Sequence, residues 1–275
     1  MVKKIITIAD IHIRNVRRHE EYTEYFIKFL NNVKELVKDY DKDEVRILVL
    51  GDLVHQKIQI SNELNLLLSW FLRKLNNIAK TIVIAGNHDL LVNNKDRIDT
   101  LTPIFSIANF DNTYYADKEL DYHSGCIVDD NIIWALYSIF DDYQKPNIDV
   151  IREHNPKCDT VIGLFHGDVV GAVMDSGEVT DSGISGDIFE GCDFVCAGHI
   201  HKRQELKRKG VPIVFTGSFI QQDFGENVTE HGFTVWDVES RTYEHHNIEG
   251  EYGFYKFQIK DINDVDEDIE RLINL

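Results

Sequence analysis

Five short segments of the sequence place histidine, aspartate or asparagine directly after an apolar run. They read ADIH, GDLVH, GNHD, FHGD and AGHIH. Their polar side chains are Asp10, His12, Asp52, His55, Asn87, His88, Asp89, His166, Asp168, His199 and His201. One such segment alone is typical of a turn, because Gly, Asn and Asp suit turns sterically and by local hydrogen bonding. Five of them at the same place after successive strands indicate instead one shared site, since parallel strands end at one edge of a sheet.

The chemistry of these side chains predicts a metal centre. Carboxylates, an amide oxygen and imidazoles form a mixed nitrogen and oxygen donor set, which suits manganese, iron or zinc and is poorly suited to calcium. These donors are too many for one tetrahedral ion and enough for two five- or six-coordinate ions that share a carboxylate. The candidate ligands are Asp10, His12, Asp52, Asn87, His166, His199 and His201.

The charge of such a centre indicates its substrate. Two divalent ions bring more positive charge than Asp10 and Asp52 return, so the site stays positive and ready for a phosphate. Two ions roughly 3.5 to 4 Å apart could bind phosphoryl oxygens and lower the pKa of a water. The predicted reaction class is therefore phosphoester hydrolysis.

The elements that must position these residues follow from the same pattern. Short apolar runs alternate with longer helical stretches, which indicates an α/β fold in which helices cover the sheet. Helical periodicity predicts helices over 20–38 and 61–80. Runs within 112–137 and after Gly232 fit antiparallel strands, so we expect a pair of mixed β-sheets.

The chain divides unequally in composition. Residues 1–249 are predicted to form one domain that contains all five motifs. From Gly250 the segment 251–259 is strand-like, and 261–275 resembles an acidic amphipathic helix. We therefore expect a partial or minimal capping unit over 250–275.

The termini and the cysteines bear on location. The apolar stretch near the N-terminus runs only from Ile5 to Ala9, too short for a signal or membrane segment, so a cytoplasmic protein without membrane contact is expected. Four cysteines lack CxxC spacing. A disulfide framework is not expected, and the spacing argues against a zinc site at Cys192 and Cys196.

The helix predicted over 61–80 carries an apolar surface wider than one narrow face. Two interpretations remain open: the helix is sandwiched between the sheet and a neighbouring element, or it also packs on a second subunit. The homodimer interpretation places Leu67, Trp70 and Phe71 in the interface.

The ordered series DxH, GDxxH, GNHD, H and GHxH resembles the calcineurin-like metallophosphoesterase superfamily. The resemblance spans Asp10 to His201 and implies a two-sheet sandwich with flanking helices. It also implies a role for each ligand and makes His88 the acid or transition-state stabiliser, beside Asp89, which orients it or forms the turn. One ion would bind Asp10, His12 and His201, the other Asn87, His166 and His199, and Asp52 would bridge them.

Within that superfamily, GDLVH with GNHD is similar to the SbcD-type recombination-repair nucleases, including phage versions, which work with an SbcC-type ATPase. The protein phosphatases have GDxxDRG and GNHE instead, so their phosphate-binding arginine is absent here. The segment FTGSFIQQDFGE also resembles the SbcD type. The resemblance implies a manganese-dependent DNA nuclease, with iron, zinc or magnesium as other metals, in which His55 seats the DNA strand. The implied activities are 3′ to 5′ exonuclease on duplex ends and endonuclease on single strands, in double-strand-break repair or recombination. A phage-encoded form would act in the host cytoplasm.

Charge and the remaining alternatives qualify this hypothesis. The formal net charge is −18 at pH 7, which alone argues against a nucleic-acid partner. Basic residues nevertheless follow two of the motifs, where a DNA backbone would approach the metals. The candidate DNA contacts are Arg14, Arg17, Arg18, Lys202 and Arg203. A small-nucleotide phosphodiesterase or phosphatase, and a non-catalytic scaffold on the same fold, are the alternatives.

Overall fold

The strand that precedes GDLVH is buried along its whole length and forms the middle of a sheet. In the computed structural model, which describes residues 1–255, β2 (Val45–Leu50) lies between β1 (Lys4–Ile8) and β3 (Lys80–Ile84), parallel to both. The sheet has the order β12 (Thr242–Asn247), β11 (Gly232–Asp237), β1, β2, β3 and β4 (Thr113–Tyr115). The strands β1 to β4 are parallel, and β11 and β12 add antiparallel pairs at one edge.

The second sheet also has six strands, and its parallel strands precede the later motifs FHGD and AGHIH. Its order is β5 (Gly125–Asp129), β6 (Ile132–Tyr137), β7 (Thr160–His166), β8 (Phe194–Gly198), β10 (Val211–Phe215) and β9 (Gln204–Arg208). The four central strands are parallel, and the strands at both edges are antiparallel to their neighbours. Both sheets are mixed, as the sequence predicts.

The two sheets pack face to face because alternate side chains of their strands are apolar. The shared core is formed by Ile5, Leu48, Ile82, Trp134, Ile162, Phe194 and Trp236, together with smaller neighbours. The rings of Phe194 and Trp236 stack at 4.1 Å across it. The predicted α/β sandwich of two mixed sheets is confirmed.

Two long helices cover the outer face of the first sheet. They are α1 (His19–Leu36) and α2 (Asn62–Ile78), and both bounds agree with the sequence prediction within two residues. The start of α2 is set by Ser61, whose hydroxyl accepts a hydrogen bond from the Leu64 amide at 3.1 Å. The helix prediction was wrong at Lys80, which begins β3. Short helices α3 (Leu101–Ile107), α4 (Ala116–Glu119) and α5 (Ile148–His154) lie in the connections.

The wide apolar face of α2 is largely satisfied within the chain. Phe71 is fully buried and stacks on Phe26 of α1, with ring centroids 3.8 Å apart. A second copy could not contact this side chain, so its predicted place in a dimer interface was wrong. Leu67 and Trp70 are only partly buried, whereas Leu66 is 73% exposed. A dimer through these residues stays a prediction.

The C-terminal end of the described chain runs beside α1. Residues 248–255 contain no helix or strand, so the strand predicted over 251–259 is not found in its described half. The helix predicted over 261–275 lies outside the described residues, and the capping unit over 250–275 stays a prediction. Within residues 1–255, no helix has both the length and the apolar character required to cross a membrane.

Candidate metal centre

The predicted ligands meet at the carboxyl ends of parallel strands. Asp10, Asp52 and Asn87 follow β1, β2 and β3 of the first sheet, while His166 ends β7 and His199 follows β8 of the second. The sheets face each other, so side chains up to 189 positions apart in the sequence come into contact. The structure brings all seven candidate ligands together.

One group of donors consists of Asp10, His12 and His201. A ligand atom of each lies within 4.8 Å of the others. The Nε2 atoms of His12 and His201 face each other at 3.1 Å. Two imidazole nitrogens aimed at the same point suit a shared cation.

A second group consists of Asp52, His166 and His199, and it has the same mutual spacing. Asn87 completes it, because its Oδ1 lies 2.8 Å from His199 Nδ1 and 3.2 Å from His166 Nε2. This set of one carboxylate, one amide oxygen and two imidazoles matches the second ion that the resemblance implies.

Asp52 lies between the two groups. Its Oδ2 is 3.4 Å from His12 Nε2, and its Oδ1 is 3.3 Å from His166 Nε2. A carboxylate that presents one oxygen to each group has the position of a bridging ligand. The residues therefore fit a dinuclear centre.

The backbone around these ligands is held in unusual conformations. Asp10, His12, Asp52 and His199 have φ angles of 51°, 51°, 53° and 91°. Non-glycine residues adopt positive φ at a cost and keep it only where the surrounding structure imposes it, most often at functional sites. Four of the seven ligands therefore have a strained backbone, which indicates that the fold holds their side chains in position against the local conformational preference of the chain.

Glycines clear the space for two of the ligands. A Cβ atom on Gly86 would lie 2.2 Å from Asp52 Oδ1 and 2.7 Å from the His166 ring. A Cβ atom on Gly198 would lie 2.2 Å from the Leu50 carbonyl oxygen and 2.9 Å from His166 Nδ1. The glycines of GNHD and AGHIH are therefore required by the close approach of neighbouring atoms.

The buried carboxylates of the site favour positive charge next to them. Burial opposes the charge on His166, yet Asp52 raises its pKa to about 10. Burial likewise opposes the charge on His201, but Glu226 and Asp10 raise its pKa to about 9. Burial lowers the pKa of His12 well below its usual range, which leaves a neutral imidazole suited to a cation. The carboxylates favour protonated histidines because they need a positive charge nearby. Bound metal ions would supply that positive charge instead.

Contacts behind the ligands fix which ring nitrogen faces the centre. His166 Nδ1 donates to the Leu50 carbonyl at 2.7 Å, and His201 Nδ1 donates to Glu226 Oε1 at 2.5 Å. Asp168 lies 3.3 Å from His199 Nε2, so His199 presents Nδ1 to the centre. Sequence reasoning missed Glu226 and Asp168 in this role. The signals were the FHGD motif and the segment that ends at Glu226.

His88 and His55 lie beside His12, and the three histidines bring ligand atoms within 4.8 Å of one another, so they form a further group next to the two above. His88 Nδ1 donates to the His55 carbonyl at 2.7 Å, and the His88 amide donates to Asp52 Oδ1 at 2.7 Å. The ring of His88 lies 4.8 Å from that of His12. Burial, with Arg14 and His88 nearby, lowers the pKa of His55 to about 4.

The two ligand groups and the histidines beside them open onto a cavity of about 190 Å³. Its walls are formed by His12, Arg14, Asp52, His55, Asn87, His88, His199, His201, Gln222 and Asp223. Asp89 does not reach it: the carboxylate accepts hydrogen bonds from the amides of Leu53, Val54 and Gly86. Asp89 therefore holds the turn and makes no contact that would orient His88.

The candidate DNA contacts separate into two groups. Arg18 forms a bidentate ion pair with Glu21, and Arg203 donates to the His246 carbonyl at 3.0 Å and contacts Asn247. These two arginines are held within the chain, and their prediction as DNA contacts is not supported by their positions. Arg17 and Lys202 are exposed, and Arg14 lines the cavity.

The chain is similar to known proteins over most of its length. The family model described as Calcineurin-like phosphoesterase matches residues 3–203. An uncharacterised protein of Acanthamoeba polyphaga mimivirus is 32% identical over 266 residues, which cover 94% of this chain, and the chain spans only 19% of that protein's length.

Two solved structures are similar at low identity. An archaeal phosphodiesterase has a TM-score of 0.40 and 13% identity over 89% of this chain and 99% of its own. A putative 5′-nucleotidase from Staphylococcus aureus, solved with alpha-ketoglutarate, has a TM-score of 0.47 and 15% identity over 98% of this chain and 58% of its own.

Proposed function

Because the chain belongs to the calcineurin-like phosphoesterase family, we propose that it is a two-metal nuclease that hydrolyses the phosphodiester bonds of DNA. The observation that carries the proposal is the position of Asp52 between two ligand groups, each with its own pair of histidines. The cavity beside them offers a phosphate access to both groups.

The two ion sites would be filled by manganese, which the mixed nitrogen and oxygen donors suit. When bound, the two ions supply positive charge for the phosphoryl oxygens and a water activated at neutral pH. Asp10, His12 and His201 would hold one ion, Asn87, His166 and His199 the other, and Asp52 both.

His88 is the proposed proton donor to the leaving oxygen. Its Nδ1 is occupied by the His55 carbonyl, so Nε2 is the nitrogen left for the substrate. The bond from its backbone amide to Asp52 fixes the distance of His88 from the centre. His88 can therefore act beside the ions without serving as a ligand.

DNA is proposed as the substrate because basic side chains accompany the centre. Arg17 and Lys202 are exposed on the segments that follow ADIH and AGHIH, and Arg14 lines the cavity itself. Phosphate contacts of this kind bind DNA without reading its sequence and weaken with salt. Exonuclease action from 3′ to 5′ on duplex ends and endonuclease action on single strands are the proposed activities, with His55 helping to seat the strand.

The substrate is tested by incubating the protein and Mn²⁺ with end-labelled duplex DNA, circular single-stranded DNA and bis(p-nitrophenyl) phosphate. The proposal expects cleavage of all three, with mononucleotide release from the 3′ ends. Turnover of the chromogenic diester without DNA cleavage would support a small-nucleotide phosphodiesterase instead. No turnover of any substrate at full metal occupancy would support a scaffold.

The role of His88 is tested with His88→Ala and, as a control, His154→Ala on the exposed face of α5. The His88 variant should keep two ions per chain and lose about 100-fold or more in rate, the range for a general acid. The control should match the wild type. Loss of metal together with an unchanged residual rate would contradict this role.

Partners and pathway are proposed from the SbcD-type resemblance. The chain would work with an SbcC-type ATPase in double-strand-break repair or recombination, in the cytoplasm or, for a phage-encoded form, the host cytoplasm. Homodimerisation through the exposed part of α2, where Leu66 lies beside the predicted interface residues Leu67 and Trp70, is proposed as well. An ATP-dependent increase in DNA digestion on adding such an ATPase would support the first of these.

A further inference from the structure

Arg14 differs from the other basic residues of its segment in where its guanidinium lies. The residues after β1 and β2 pair with each other: the His55 amide donates to the Ile13 carbonyl at 3.1 Å. This pairing holds Arg14 and His55 side by side on the wall of the cavity. Arg14 Nη1 lies 3.2 Å from His55 Nε2.

The donors of Arg14 are only partly used. A guanidinium carries five N–H donors in a planar fork. Within residues 1–255, those of Arg14 bond to Nε2 of His55 at 3.2 Å and, at a long 3.4 Å, to the Gln222 carbonyl. Arg18 is held more firmly than Arg14, because Glu21 and the Gln221 carbonyl accept bonds from its Nε and Nη2, while its buried Nη1 has no partner within the described residues.

The position of Arg14 also relates it to the metal centre. The ring of its partner His55 lies 5.6 Å from that of His12 and 5.5 Å from that of His88. The guanidinium is therefore one side chain away from both a ligand and the proposed acid. The segment GDLVHQK contains no arginine. The guanidinium beside its His55 belongs to Arg14, which follows ADIH.

We propose that Arg14 is a substrate-binding residue that donates hydrogen bonds to a non-bridging oxygen of the phosphate held at the metal centre. The oxygen would replace the long contact to the Gln222 carbonyl. Arg14 would then add its positive charge to that of the two ions. This role rests on the proposed phosphoester chemistry and adds to it the residue that grips the substrate.

The test compares Arg14→Ala, Arg14→Lys and Arg73→Ala, the last removing the same charge from an exposed position on α2. Binding of inorganic phosphate to the Mn²⁺-loaded protein is measured by calorimetry, and kcat and KM are measured with bis(p-nitrophenyl) phosphate. Arg14→Ala should weaken phosphate binding and raise KM by about 10- to 100-fold, the range for one charge-assisted contact. Arg14→Lys should recover part of this, because lysine keeps the charge but loses the fork.

All variants should bind two ions per chain. Phosphate affinity of Arg14→Ala equal to that of Arg73→Ala would overturn the assignment, and so would loss of metal by Arg14→Ala. Failure of the nuclease proposal is distinguishable, because it would show as absent DNA cleavage by the wild type while phosphate binding still depended on Arg14.

Discussion

His201 donates a hydrogen bond from Nδ1 to Oε1 of Glu226, a carboxylate whose side chain is only 3% exposed. The other oxygen of Glu226 accepts bonds from the Ser218 hydroxyl and the Gln222 amide. One buried carboxylate thus fixes a ligand ring and also ties down the loop that forms part of the cavity wall. The direction of the His201 ring is set from outside the metal centre.

Glu226→Gln should therefore weaken metal binding without unfolding the chain. Partners behind a metal ligand typically contribute about 10- to 100-fold in affinity, because they fix its tautomer and orientation. Calorimetric titration with Mn²⁺ measures the effect, with Glu63→Gln on the exposed surface of α2 as the matched control. Equal affinities of the two variants would refute a positioning role for Glu226.

Gly86→Ala should damage the centre by steric contact. The added Cβ would lie 2.4 Å from the Asp52 backbone nitrogen as well as 2.2 Å from its side chain, so the backbone must shift. We expect a loss of about 1 to 3 kcal/mol in the free energy of unfolding, as for other overpacked sites, and weaker Mn²⁺ binding.

Urea denaturation and metal titration check both expectations. Gly125→Ala is the control, because the three atoms nearest to its Cβ would all belong to the flexible Leu120 side chain, the closest at 3.3 Å. A Gly86 variant as stable and as metal-loaded as this control would show that the close approach does not matter.

Asp117 provides a pH-dependent test of how the end of β3 is held. Its carboxylate accepts hydrogen bonds from the Ala85 amide at 2.9 Å and the Ser138 hydroxyl at 2.5 Å. Burial outweighs these bonds and raises its pKa to about 6. Because its pKa is higher in the folded chain than in the unfolded chain, the Asp117 carboxyl group stabilises the fold fully below about pH 4. This stabilisation is lost as the pH rises through about 6.

The free energy of unfolding of the wild type, relative to that of Asp117→Asn, should therefore fall between about pH 4.5 and 7.5. A rise in the pKa of Asp117 from about 4 to about 6 corresponds to about 3 kcal/mol in full, of which about 2 kcal/mol is lost in this pH window. Urea denaturation across the series measures it. A difference that stays constant with pH would mean that Asp117 has an ordinary pKa in the folded chain.

The exposed part of α2 provides the test of oligomeric state. Leu66 is 73% exposed, whereas Phe71 is fully buried. Sedimentation velocity should show a dimer for the wild type and a monomer of unchanged fold for Leu66→Asp. Phe71→Ala should instead lower the stability of each chain by about 3 to 5 kcal/mol, as expected for loss of a buried ring. A wild type that sediments as a monomer at all concentrations would remove the dimer proposal.

The sequence predicts that these side chains meet, because each lies at or shortly after the end of a buried strand, and parallel strands bring their ends together. It does not predict Glu226, which reaches His201 only after the chain has returned 25 residues later. Apolar periodicity predicts that α2 is buried on more than one side. It does not predict that α1 is the element that covers Phe71.

The basic run after ADIH shows the same limit. Arg14, Arg17 and Arg18 are chemically alike in the sequence, yet Arg18 has a φ of 64° at the start of α1 and pairs with Glu21. Only the pairing of the loops after β1 and β2 selects Arg14 for the cavity. Local sequence carries no information about that contact.

The most direct test of the dinuclear centre is an anomalous-difference map from crystals of the protein grown with Mn²⁺. We predict two peaks, one beside Asp10, His12 and His201 and one beside Asn87, His166 and His199, with an oxygen of Asp52 next to each. A single peak, or density that leaves Asp52 without a metal neighbour, would contradict the account.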